Sequence, residues 1–350
     1  QLPRAGWMWY KRPYNFFIYS SLMIIVTGGA GFIGSNIVAA LEKAGKKDLV
    51  VVDELGSSDK WKNIAKRELC AVIPPEDMLD YMEAHAEEIE AVIHMGAISA
   101  TTETDADLII RTNFTLSWRL WEFCALYGKQ FIYASSAATY GDGSMGFDDD
   151  SSLEHVNALR PLNAYGWSKA LFDRKVAREV KEGRPVPPQY AGLKFFNVYG
   201  PNEYHKGGQK SVVAHIFPQV KVNETVKLFK SYHPDYRDGW QLRDFVWVGD
   251  CVNVVLWLLD HPEVSGLFNV GSGEARSFYD LAKAAFNALG LQEKIAYREM
   301  PEELKGKYQY YTQADLSRLR AAGYAAPMTS LEDGVRQYVQ KYLDREDSYV

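Results

Sequence analysis

The chain has 350 residues, 47% of them hydrophobic and 24% charged, with a formal net charge of −6. That length accommodates a large domain and a smaller second one. The acidic balance, without any block of basic residues, argues against general nucleic-acid binding. Cys70, Cys124 and Cys251 lie far apart with no metal-ligand spacing, so buried thiols in a reducing compartment are expected, with no metal.

Arg4, Lys11 and Arg12 precede an apolar stretch from Phe16 to Val26, which has the outline of a secretory signal peptide. Cleavage after that stretch would destroy the strand and glycine loop that follow. Residues 1–22 therefore read as a disordered N-terminal extension with Met23 as the start, and the protein as cytoplasmic. No run reaches the 18 or so apolar residues that a membrane helix needs.

From Met23 the sequence reads M-I-I-V-T-G-G-A-G-F-I-G. The apolar run predicts a buried parallel strand. Gly28 permits a tight turn, Gly31 lets backbone approach a pyrophosphate, and Gly34 lets the next helix, about 31–44, pack on the strand. The helix N-terminus presents N–H groups and its positive dipole end to the phosphates. A second strand, Leu49 to Val52, ends in Asp53, an acidic residue about 20 positions on, where an adenosine ribose would be held. The polar stretch from Glu54 to Lys66 carries Ser57, Ser58 and Lys60. These could receive a 2′-phosphate and favour NADP, or form a solvated loop.

Ala91 to Met95 predicts another strand, followed by the small residues Gly96-Ala97, which would let a cofactor pass close to backbone. A helix follows from about Thr104 to Tyr127, with Asn113 inside it. Gln130 to Ala134 is a further strand, running into Ser135 and Ser136. Alternating strands and helices mean a parallel sheet, doubly wound with helices on both faces. Ligands gather at the carboxyl ends of such strands, where Ser136 falls.

Asn163 to Lys181 predicts a long helix carrying Tyr165-Gly-Trp-Ser-Lys169. Residues four apart share a helix face, so the Lys169 ammonium can lower the Tyr165 phenol below its usual pKa of about 10. The pair then forms a general acid or base for a sugar hydroxyl. The same spacing recurs at Tyr190/Lys194 and Tyr279/Lys283. The first of these lies on a strand, where four residues span about 13 Å, and the second lies away from the predicted strand ends.

From Asn197 the alternation loosens. A loop carrying His205 and Lys206 leaves a strand end, a helix carries His215, and Val226 to Phe229 is a short strand. Residues 231–241 are irregular. Arg243 to Asp250 reads as a strand and helix start returning to the first domain. Leu267 to Val270 and Gly271-Ser-Gly273 follow, and mostly helical material closes the chain.

Together these stretches resemble the extended short-chain dehydrogenase/reductase superfamily: T-G-G-A-G-F-I-G at 27–34, Ser136, Tyr165-x-x-x-Lys169, F-N-V-Y-G-P at 196–201 and R-D-F-V-W-V-G-D at 243–250. The match is closest to its ADP-glyceromanno-heptose 6-epimerase branch. H-x-G-A-x-S-x-T-T-E at 94–103, A-S-S-A-A-T-Y-G at 134–141, N-x-Y-G-x-S-K at 163–169 and H-K-G at 205–207 carry it, with K-G-K-Y-Q, T-Q-A-D-L and L-R-A-A-G-Y between 305 and 324. The resemblance spans about Met23 to Leu343.

It implies a Rossmann-type domain at 23–196 and 243–271, interleaved with a smaller α/β substrate domain at 197–242 and 272–350. Tyr165 and Lys206 would be the acid/base groups for the two faces of the sugar, with Ser136 holding the oxygen. Lys169 would bind the nicotinamide ribose and tune Tyr165. Phe32, Ile33, Asp53, Glu54, Lys60, Gly96, Ala97, Ser99 and Asn113 would join the glycines around NADP, or NAD. Asn197, Val198, His215, Phe229, Arg243 and Tyr308 would hold the sugar nucleotide. The partners implied are an ADP-sugar and further copies of the chain in a homo-oligomer, with neither nucleic acid nor membrane.

The chain departs from the branch at Gly208, where a serine is usual, and in a longer loop through about Gln241. A 4-epimerase would share most motifs but would not need Lys206. A 4,6-dehydratase would carry an Asp-Glu pair where Ala137-Ala138 stands. A cofactor-sensing protein with a dead site would lack Tyr165 or Lys169.

Overall fold

The computed structural model describes residues 22–305 and 308–350. Apart from Leu22, the expected extension lies outside the described residues, as do Gly306 and Lys307 of the K-G-K-Y-Q motif. Apolar runs form the parallel strands β1 (Met23–Thr27), β2 (Leu49–Val52), β3 (Ala71–Ile73), β4 (Ile89–His94), β5 (Gln130–Ser136), β6 (Tyr190–Phe195) and, much later, β10 (Gly266–Val270). They make one seven-stranded sheet in the order β10-β6-β5-β4-β1-β2-β3. The order reverses between β1 and β4, and a crevice opens at that point, beyond the strands' carboxyl ends.

Both faces of the sheet are covered, which is why the strand sequences are continuously apolar. Ile24 and Val26 of β1 pack into one cluster with helices α1 (Phe32–Lys43) and α8 (Val248–Asp260). Met23 and Ile25 point the other way, toward α2 (Met78–Ala84), α4 (Leu116–Tyr127) and α6 (Ala164–Lys181). The long helix expected from Thr104 starts as α3 (Ala106–Ile109), widens into a π-helical turn at Ile110–Thr115 and continues as α4. Between β5 and α6 lies the short α5 (Leu153–Ala158).

A second apolar cluster holds the smaller part together. It combines α7 (Val212–Lys221), β8 (Val226–Phe229), β9 (Leu242–Trp247), α9 (Phe278–Ala288) and α12 (Leu331–Tyr338). Strand β9 differs from its expected place. It pairs with β7 (Asn197–Tyr199) and β11 (Ala275–Ser277) in a separate three-stranded sheet, so the chain rejoins the large sheet through α8, at Val248, rather than at 243. β8 pairs with β12 (Ile295–Arg298), and α10 (Glu302–Lys305) and α11 (Ser317–Ala321) complete the helices. Among the described residues, no helix is long and apolar enough to cross a membrane. Cys124 and Cys251 are buried as expected, whereas Cys70, just before the edge strand β3, is exposed.

Candidate active site

Two cavities meet at the crevice. The first, about 710 Å³, lies over the glycine loop and reaches Ser136, Tyr165, Lys169 and Lys206. Every cofactor residue expected from the sequence lines it except Glu54 and Asn113. Gly28 has φ +64°, and a Cβ there would come within 2.6 Å of the Gly96 nitrogen. A Cβ on Gly34 would come within 2.1 Å of the Gly28 oxygen. The loop is therefore drawn tight under α1, whose first turn has no capping side chain. Its N–H groups are left for an anion, which fits a dinucleotide pyrophosphate. Asp53 braces this loop by accepting from the Ala30 N–H at 2.9 Å, and Lys60 pairs with Asp53. Ser57, Ser58 and Glu54 are exposed and outside the cavity lining; Glu54 contributes only its carbonyl, which accepts from Lys60.

Asn163 caps α6 by accepting from the Gly166 N–H at 2.8 Å, which sets Tyr165 in the first turn facing Ser136. Burial pushes the Tyr165 phenol up from its ordinary value, and the Ser136 hydroxyl opposes that. Lys169, expected to lower it, is not among the groups that shift it. The Lys169 ammonium donates to the Ala134 carbonyl at 2.8 Å and is itself depressed, to about 8, by burial, with Asp173 opposing. Lys169 is thereby held to the end of β5.

Lys206 enters on a loop pinned to α1. Asn202, at φ +72°, donates to Ser35 Oγ at 3.0 Å, and Asn36 donates to the Pro201 carbonyl at 3.0 Å. Asn63 donates to the carbonyls of Ala30 and Asn202, stitching the ribose side of the cleft to the same loop. The Lys206 ammonium sits 5.3 Å from the centre of the Phe32 ring. Burial lowers its pKa, with the buried Glu203 carboxylate opposing. A lysine so placed gives up its proton more readily than one in water.

The second cavity, about 760 Å³, runs between α7 and β8 and shares Gly208 with the first. His215, Phe229 and Tyr308 line it as expected. Arg243 is buried behind it, its guanidinium 5.0 Å from the Tyr308 ring and 5.7 Å from Phe278. Val198 lines the first cavity instead, and Asn197 is exposed and lines neither. Among the described residues the lining holds Lys227, Arg298 and His215 but no carboxylate, which suits an anionic ligand.

The sequence pattern of the NAD dependent epimerase/dehydratase family matches residues 24–271, the stretch that supplies the first cavity. The chain belongs to this family. It is 50% identical over 336 residues, 94% of its length, to the whole of the ADP-L-glycero-D-manno-heptose-6-epimerase of Fusobacterium nucleatum. The crystal structure of the Helicobacter pylori enzyme of that name superposes with a TM-score of 0.74 at 27% identity, covering 93% of this chain and 98% of the other. A Thermus thermophilus UDP-glucose 4-epimerase in complex with NAD gives 0.68 at 26%, covering 91% and 98%.

Against this epimerase/dehydratase frame, several residues had no signal in the sequence. Asn63 and Glu203 position the Lys206 loop from inside it, and polar residues in loops are ordinarily read as solvated. Lys227 and Arg298 reach the second cavity because β8 and β12 pair, a contact between distant short strands that periodicity cannot reveal. His205, within the H-K-G stretch, lines the first cavity, where the motif itself was the available signal, and so does Gln209, two residues beyond it.

Proposed function

We propose that the protein epimerises ADP-D-glycero-D-manno-heptose to ADP-L-glycero-D-manno-heptose at the sixth carbon, using NADP, in the cytoplasmic supply of lipopolysaccharide core precursors. The observation that supports this reading is that Tyr165, on α6, and Lys206, beside Phe32 of α1, line the same cavity. A bound nicotinamide dinucleotide would supply reversible two-electron oxidation of a sugar carbinol with no net redox change. Ser136 would hold the sugar oxygen, and Tyr165 would take and return its proton on one face. Lys206 would do the same for the other face, since a general acid or base must lie about 3 Å from its proton and one fixed group cannot serve both orientations. Lys169 would hold the nicotinamide ribose.

The second cavity would hold the sugar nucleotide, with Arg298 in its lining offering a diphosphate two parallel hydrogen bonds and Arg243 backing Tyr308. Lys60 beside Asp53 supports NADP over NAD by offsetting the carboxylate that would repel a 2′-phosphate. The active form is proposed to be a homo-oligomer. A 4-epimerase would leave Lys206 without a task, so that reading is not favoured. Turnover in deuterated water tests the chemistry. The product should carry no solvent deuterium on the sixth carbon, and deuterium there would mean direct deprotonation. Faster turnover of UDP-sugars than of the ADP-heptose would overturn the substrate.

A further inference from the structure

The last residues of β1 and β4, Thr27 and His94, are paired across the sheet beside the glycine loop, and both are buried. His94 lies between two hydroxyls, with Nδ1 2.6 Å from Thr27 Oγ1 and Nε2 2.8 Å from Ser117 Oγ. The Ser117 hydroxyl donates its only proton to the backbone carbonyl of Asn113 at 2.6 Å, so it must accept from the imidazole. Nε2 therefore carries the hydrogen, and Nδ1 accepts from Thr27. Thr27 Oγ1 in turn accepts from the Gly96 N–H at 3.1 Å. The bonds all point one way, from Gly96 through Thr27, His94 and Ser117 to Asn113. Burial favours the neutral ring that this order needs, and the cationic Lys169 nearby acts in the same sense.

That chain ends on the backbone of Asn113, within the π-helical turn, and the side chain of the same residue makes a second set of bonds. The Asn113 amide clasps the backbone of Ile98, accepting from its N–H and donating to its carbonyl, both at 2.9 Å. It also donates to Ser168 Oγ at 3.1 Å, and Ser168 donates to the Tyr165 carbonyl at 2.7 Å. Joined through the backbone and the side chain of Asn113, these bonds fix both ends of the Gly96–Ile98 loop, which lines the cofactor cleft, and the first turn of the helix that carries Tyr165. It also explains why Asn113, expected in the cofactor pocket, stands behind it.

We propose that His94 is a positioning residue, setting the Gly96–Ile98 loop and Tyr165 in mutual register through this one-way chain of hydrogen bonds. It touches no reacting atom. A neutral imidazole donates on one side and accepts on the other, and a hydrophobic ring of similar size would fill the space yet break the chain twice. The broken bonds would leave buried hydroxyls without partners, and the loop and helix would then settle independently. A misplacement of about 1 Å at a reacting group costs on the order of 100-fold in rate.

The inference rests on Tyr165 being the acid/base group, so its test includes a readout that does not involve turnover. Thr27→Val, His94→Phe and Ser117→Ala are compared singly and in pairs. The measurements are NADPH affinity by nicotinamide fluorescence, kcat at saturating cofactor, and Tm. Each single change should weaken NADPH binding and lower kcat by about 10- to 100-fold. Any pair should be no worse than its worse member, because the chain is already broken once. His94→Gln, whose amide can still donate to Ser117, should recover part of both losses. Additive effects in the pairs would overturn the proposal. So would a lowered Tm with affinity and kcat of the folded protein at wild-type values. If His94→Phe does not fold, Thr27→Val with Ser117→Ala completes the same cycle. Wild-type protein that binds no NADPH would instead sink the functional reading, and this inference with it.

Discussion

The ammonium of Lys60 sits 2.5 Å from Asp53 Oδ1 at the edge of the cofactor cleft, while the other Asp53 oxygen accepts from the Ala30 N–H. The acidic residue that would hold a ribose is therefore already engaged, both by a cation and by the glycine loop. Lys60→Met should leave Asp53 uncompensated and shift preference from NADP toward NAD by about tenfold or more, the equivalent of about 1.4 kcal/mol. Calorimetric titration of both dinucleotides into wild type and variant checks it; an unchanged ratio would remove Lys60 from the recognition of the 2′-phosphate.

Tyr165→Phe and Lys206→Met should each reduce turnover of the ADP-heptose by about 100- to 10,000-fold, the usual contribution of a general acid or base. Neither should release the cofactor, since the glycine loop and the α1 N-terminus would hold it without them. Normal turnover in Lys206→Met would mean that one base serves both faces.

Lys169 gives a pH signature. Burial depresses its ammonium from 10.5 to about 8, so above that pH the folded apoprotein holds it neutral while the unfolded chain still binds the proton. This group's contribution to stability therefore rises with pH between about 8 and 10.5 and is least favourable below that window. NADPH affinity should run the other way, falling as pH rises through about 8 and the charged ribose contact is lost. Lys169→Met should bind more weakly and without that pH dependence. A wild-type affinity that is flat across the range would contradict the assignment.

Gly208 lines both cavities, and nothing lies within 4 Å of where its Cβ would be. Gly208→Ser, which restores the residue usual in the resembled branch, should therefore fold unchanged. One added hydrogen bond is worth about 1 kcal/mol, so KM for the sugar nucleotide should fall by about fivefold. Steady-state kinetics with the ADP-heptose decides this; a raised KM would show that the longer loop through Gln241 has already taken the serine's place.

The glycine loop, β1, β2 and the helix of Tyr165 were legible because their signals are local: an apolar run, a turn that only glycine allows, a Tyr–Lys pair at helical spacing. Most of the residues expected around the cofactor line the first cavity. Strands β7, β11 and β12, of three or four residues each, were not legible, because they exist only through partners far along the chain. For the same reason β9 was placed in the wrong sheet. The state of Tyr165 was misread because its burial and the hold of Ala134 on Lys169 are tertiary facts. A Tyr–Lys spacing fixes which groups share a helix face, but not where the ammonium points.

The seventh strand of the large sheet has a consequence for synthesis. β6 ends at residue 195, but its neighbour β10 begins only at residue 266, after the chain has laid down β7, β8 and β9. Until then a nascent chain presents the open edge of β6, whose Ala191, Leu193 and Phe195 are buried in the finished molecule. An unpaired apolar edge of this kind invites pairing with other chains. The large sheet therefore cannot close while the ribosome is still making the intervening segment, and residues 23–196 expressed alone should aggregate rather than fold. Cofactor capture would come late in biogenesis, once β10 has closed the sheet and the Lys206 loop is in place.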